Sequence, residues 1–149
     1  MRIDFATIEP EGLKAMRNLE MHVRNSGLEK GLLELMKTRV SQINGCAYCI
    51  DMHTKEARAN GESEQRLYAL PAWRETPFYS ERERAALCWA EALTHISSSR
   101  IPEGLAEETL RFFSERELAN LTLAVIAING WNRLAVSSGM QAGSYQPNH

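Results

Sequence analysis

Glu34-Leu35-Met36-Lys37-Thr38-Arg39-Val40-Ser41-Gln42-Ile43-Asn44-Gly45-Cys46-Ala47-Tyr48-Cys49-Ile50-Asp51-Met52-His53 holds the end of one helix, a stop and the start of another. Leu28, Leu32, Leu35, Met36, Val40 and Ile43 recur with a period of about 3.6 residues, which predicts a helix over 28–43. Asn44-Gly45 ends it. A second helix begins near Cys46 and runs to Asn60-Gly61, with Cys46, Cys49, Ile50, His53 and Ala57 on one side. The connection between the two is very short, so they are expected to pack antiparallel. That brings Glu34 toward the cysteine face.

The flanking sequence is helical as well. Pro10 suits a first turn, Leu13, Met16, Leu19 and Val23 make a stripe, and Gly27 closes that helix. Ser63 caps a short helix that Pro71 limits. Ser80-Glu81-Arg82-Glu83 and Ser114-Glu115-Arg116-Glu117 both have the capping-box form, and Ile101-Pro102 opens a helix between them. The last helix is apolar through Leu118, Leu121, Val125 and Ile128, as expected of a segment buried in the core or in a subunit interface. Gly130 is a candidate bend or break, and the polar tail 141–149 reads as loose. Strand signals are weak. The expectation is an all-α fold of six to seven helices, in a single domain over 1–149 with its core in 28–140.

Composition narrows the function. A chain of 149 residues fits one domain and needs no metal or disulfide to hold its core. Net charge is -2 with no block of like charges, which argues against nucleic acid and anionic membrane surfaces as partners. The start, Met1-Arg2-Ile3-Asp4-Phe5-Ala6, lacks the apolar run of a signal peptide. No run approaches ~18 apolar residues, so no membrane span is expected. A cytoplasmic location follows as the expectation, and there thiols are kept reduced. Three cysteines, an odd number, do not suit a secreted disulfide framework. A Cys-x-x-Cys in that setting points to catalysis or metal binding.

Two routes activate a thiol here. Cys46 follows Asn44-Gly45 and lies where the helix exposes its unsatisfied N–H groups, which favour a thiolate. Cys49 has His53 four residues on, within reach of its sulfur. The helix terminus favours Cys46 and the histidine favours Cys49. The ability of a side-chain base to shuttle protons inclines the choice to Cys49. Glu34, among Leu33, Leu35 and Met36, is the candidate to orient that base, because a carboxylate near an apolar face needs a partner. Zinc is the competing chemistry, with Cys46, Cys49, His53 and Glu34 as ligands. Structural zinc sites usually pair two such knuckles, and no second one exists in the sequence. Cys88 reads as a small core residue, and His22 and His95 as surface or packing residues. Trp73, Trp89 and Trp131 read as core or interface rather than ligand stackers, and Tyr48 as packing or a pocket border.

The stretch from Glu34 to His53 resembles the core of the alkylhydroperoxidase D-like proteins, within the wider carboxymuconolactone decarboxylase family. The likeness continues through Ala85-Ala86-Leu87-Cys88-Trp89-Ala90-Glu91-Ala92-Leu93-Thr94 and Ile128-Asn129-Gly130-Trp131-Asn132-Arg133-Leu134-Ala135, though only the first stretch is specific. The resemblance implies an all-helical domain assembled as a homo-oligomer, a trimer or hexamer. It implies a peroxidase that cycles a disulfide, with Cys49 attacking a hydroperoxide, Cys46 resolving the sulfenic acid and donating a proton, and His53 and Glu34 relaying protons. No bound cofactor is required. The partners it implies are a hydroperoxide and an external dithiol or protein reductant, of lipoyl type by family analogy. The decarboxylase branch lacks the paired-cysteine chemistry. One departure stands out: the family histidine directly before the second cysteine is Tyr48 here. The alternative reading is a redox-sensing or stress-linked disulfide module without sustained turnover.

Overall fold

A computed structural model describes residues 2–148. Among them the protein is all-helical, with α1 Phe5–Ile8, α2 Pro10–Arg24, α3 Lys30–Asn44, α4 Ala47–Ala59, α5 Glu64–Ala69, a 3-10 segment Leu70–Glu75, α6 Glu81–Thr94, α7 Leu105–Thr109 and α8 Glu115–Ser138. The helix α3 lies at the centre. It packs against α4, α6 and α8, while α2 lies along α8. Every position from 32 to 38 of α3 is buried, so this helix has no solvent face over those two turns. One apolar cluster joins α3, α6 and α8 through Leu32, Met36, Val40, Ala86, Trp89 and Leu121. A second joins α3, α4 and the 3-10 segment through Leu35, Ala57, Leu70 and Trp73.

Local chemistry explains the boundaries. Gly45 takes φ 65°, the left-handed conformation that closes a helix, and the N–H of Cys46 returns to the carbonyl of Ser41 at 3.0 Å. The chain therefore turns within two residues and starts α4 with Cys46 as its N-cap. Both capping boxes form, at Ser80 with Glu83 and at Ser114 with Glu117.

Several expectations are corrected. The four-residue α1 and the 3-10 segment add short elements that carry no helical period. As expected, α5 stops at Ala69, ahead of Pro71, and the chain goes on as a 3-10 segment with the proline in its first turn, where no N–H is needed. The helix expected to open at Ile101-Pro102 starts at Leu105, after Gly104. Gly130 does not break α8, and a Cβ there would stand 2.8 Å from Cε of Met16, so the glycine leaves room for the end of that side chain from α2. The tail is not loose over its described part. Asp51 accepts from the N–H of Gly143 at 3.0 Å, Lys55 donates to the carbonyl of Tyr145 at 2.9 Å, and the Tyr145 hydroxyl donates to Glu56. His149 lies outside the described residues. No helix among those described is long and apolar enough to cross a membrane.

Candidate active site

The two cysteines occupy the first turn of α4. Cys46 caps the helix, its Sγ accepting from the N–H of Cys49 at 3.3 Å. The pair forms a disulfide, S–S 2.06 Å, with Cα atoms 5.3 Å apart. That separation lies in the range a bridge needs without backbone movement. Cys46 is 1% exposed and Cys49 4%. They differ in what they face: Cys49 lines a cavity of about 930 Å³ and Cys46 does not.

His53 lines the same cavity, one helical turn beyond Cys49, and is 4% exposed. Its Nδ1 lies 2.8 Å from Oε2 of Glu34 on α3, which is itself 5% exposed. With Glu34 ionised, Nδ1–H donates to the carboxylate and Nε2 keeps its lone pair. The antiparallel packing of α3 and α4 creates this contact across nineteen residues of sequence. Cys46, Cys49, His53 and Glu34 are thus brought together on two adjoining helices.

The sequence reading missed what stands behind Glu34. Lys37, on the next turn of α3, is 1% exposed. Its Nζ donates to Oε1 of Glu20 at 2.6 Å and lies 3.9 Å from Oε1 of Glu34. Burial works against the charge on Glu20, but the Lys37 ammonium and the Arg24 guanidinium outweigh it and hold the carboxyl below the usual range. A row of paired side chains therefore runs from His53 through Glu34 and Lys37 to half-buried Glu20, which also lines the cavity. The available signal was the i, i+3 spacing of Glu34 and Lys37 inside an apolar helix.

Other residues fall as follows. Tyr48 is half-buried and borders the cavity, as does Trp131, read earlier as core or interface. Trp73 and Trp89 are buried in the clusters. Cys88 is half-buried, packs on both clusters and lies 3.8 Å from a guanidinium nitrogen of Arg74. His22 Nε2 pairs with Oδ1 of Asn120 at 3.0 Å, and His95 caps the end of α6. Asn44, read only as a helix stop, donates to Oδ1 of Asn129 at 3.0 Å and of Asn132 at 2.9 Å, tying the α3–α4 corner to α8. Among the described residues no group of three His, Cys, Asp or Glu stands where it could hold a metal ion.

The sequence profile of the carboxymuconolactone decarboxylase family matches residues 10–92. The chain is 44% identical to the uncharacterised protein YdfG of Bacillus subtilis, over 96% of this chain and 97% of that one. It is 40% identical to an alkyl hydroperoxide reductase AhpD of Hyphomonas neptunium, but over 32% of this chain and 26% of that one. A solved structure from Agrobacterium tumefaciens superposes with a TM-score of 0.91 at 44% identity, covering 97% of this chain and 99% of that one. It is a protein of unknown function for which an AhpD role in antioxidant defence has been suggested. The debrominase Bmp8 shares the fold at a TM-score of 0.80 and 21% identity, over 91% of this chain and 73% of that one, so the architecture hosts more than one activity. The chain is an AhpD-like member of the carboxymuconolactone decarboxylase family.

Proposed function

We propose that the protein is an enzyme, a thiol-dependent peroxidase that reduces organic hydroperoxides through a Cys46–Cys49 disulfide cycle. One observation carries the reading: Cys49 and not Cys46 opens on the large cavity, beside a histidine whose other ring nitrogen is held by a buried carboxylate. This asymmetry favours Cys49 as the attacking sulfur and leaves Cys46 behind it as the resolving one.

In the reduced protein His53 Nε2 takes the proton of the Cys49 thiol. The thiolate attacks the terminal oxygen of the hydroperoxide. An S–O bond forms, the O–O bond breaks, and the departing alkoxide takes a proton from His53 to leave as an alcohol. Glu34 holds Nδ1–H throughout and offsets the charge of the imidazolium. Cys46 then attacks the sulfenic acid, an S–S bond forms and water leaves. An external dithiol reduces the disulfide by exchange. Tyr48, where related proteins carry histidine, is a weak base at neutral pH, so His53 and Glu34 carry the relay. The same reading takes residues 1–149 as one domain working in the cytoplasm as a homo-oligomer.

The test is steady-state consumption of cumene hydroperoxide by the reduced protein with excess dihydrolipoamide. Sustained turnover is expected, abolished by Cys49→Ser and lowered about 10²- to 10⁴-fold by His53→Ala, the range a positioned acid–base contributes. A single stoichiometric oxidation without turnover would overturn the peroxidase and leave a redox-sensing disulfide.

A further inference from the structure

We propose that the cavity over Cys49 selects hydroperoxides of long acyl chains that end in a free carboxylate. The proposal rests on the peroxidase reading and adds the substrate class. Three features of the cavity point to it.

The first is size. About 930 Å³ lies near the upper end of what holds a drug-sized ligand, and far exceeds the ~30 Å³ share of a water-sized molecule. Hydrogen peroxide would leave it almost unfilled. The second is lining. Leu13, Met21, Met52, Trp131, Leu134 and Met140 form apolar walls, and the methionines give them an adaptable shape suited to a flexible chain. The third is polarity. Cys49 and His53 are buried in the lining, while Arg2, Arg17 and Arg24 in the same lining are exposed.

Those arginines are not equally committed. Arg24 is paired with Glu20 at 3.2 Å. Arg2 donates to the carbonyl of Gly139 at 2.8 Å, which leaves its charge without a carboxylate. Arg17 makes no hydrogen bond or ion pair among the described residues. The acidic lining residues do not cancel this excess. Glu20 is already opposed by buried Lys37 and by Arg24, and Asp4, bonded only to Thr7, stands alone against Arg2 and Arg17, so positive charge stays in excess. The mouth thus offers two guanidinium groups without carboxylate partners, which match a carboxylate by charge and by their forked donors. A chain lying along the apolar wall, its head on Arg17 and Arg2, would carry a hydroperoxide group on the chain toward Cys49.

The experiment compares kcat/KM for linoleic acid hydroperoxide and its methyl ester, which share a chain and differ in charge. The acid is expected to be favoured about tenfold or more, as a charge-assisted hydrogen bond allows. The double variant Arg2→Gln/Arg17→Gln is expected to bring the acid-to-ester ratio near one. Equal rates for acid and ester, or a ratio unmoved in the variant, would overturn the proposal while leaving the peroxidase standing. Calorimetric titration with linoleate separates the two readings, because it needs no turnover. Binding that the double variant weakens about tenfold supports the site even where no hydroperoxide is consumed. No binding of linoleate overturns it.

Discussion

Lys37 is buried on α3 with its ammonium between two carboxylates. Removing one partner from a buried ion pair leaves an uncompensated charge, typically at a cost of about 3–5 kcal/mol, whereas replacing both partners with apolar groups is often near neutral. Lys37→Met should therefore destabilise the protein by about that amount in urea unfolding. The double variant Lys37→Met/Glu20→Met should recover a good part of it. A single variant within about 1 kcal/mol of the parent would show that the row of charge is not what holds α2 to α3. Glu34 was legible in the sequence, because a carboxylate beside Leu33, Leu35 and Met36 demands a partner and His53 was the one within reach. Lys37 obeys the same argument. It escaped because lysine is so rarely buried that it reads as a solvated residue, and because its partner Glu20 lies on a helix whose position the sequence does not reveal.

The α3–α4 corner sets where the sulfurs of Cys46 and Cys49 stand. Gly45 reverses the chain at φ 65°, and although a Cβ there would meet nothing within 4 Å, the backbone itself resists any other residue. Gly45→Ala should cost about 1–2 kcal/mol, the ordinary penalty of a left-handed L-residue. Gly31→Ala makes the control with opposite sign. Gly31 is exposed in the first turn of α3 with open space around it, so the substitution should stabilise by up to about 0.5–1 kcal/mol through helix propensity alone. Thermal unfolding of the two variants checks the pair, and two shifts of the same sign would refute the conformational argument. This corner was read correctly from Asn44-Gly45, since an αL stop is local chemistry. Ile101-Pro102 and Gly130 were misread because their outcome depends on neighbours. The helix start was set by Gly104, and the glycine in α8 faces Met16 of α2.

Across the whole molecule, carboxylates act as staples between helices that also share an apolar cluster. Glu20 joins α2 to α3 through Lys37. Glu91 on α6 accepts from Arg39 Nε of α3 at 2.8 Å, Trp73 Nε1 at 2.9 Å and Arg74 of the 3-10 segment. Glu83 joins α6 to α5 through Arg66. Helical period and caps made the fold class legible, but these pairings, like the meeting of Arg2 with Gly139 at the cavity mouth, link positions far apart in sequence and have no local signal. In each of the three, burial opposes the charge and the facing cations and donors overcome it, leaving the carboxyl below its ordinary range. The sign follows. A carboxyl that holds its proton less tightly in the folded state stabilises the fold above its unfolded value near 4.5, and that contribution is lost as pH falls through the lower folded value. Unfolding free energy should stay nearly level from neutrality to about pH 5, then fall. Each proton taken up on unfolding adds about 1.4 kcal/mol per pH unit to the slope. Glu91→Gln leaves Arg39 and Arg74 facing a neutral amide, so it should lower stability at pH 7 and flatten the acid limb by part of one proton. Urea midpoints from pH 7 to pH 3 measure both effects. An acid limb as steep in Glu91→Gln as in the parent would mean that protons taken up elsewhere, rather than at this staple, open the fold.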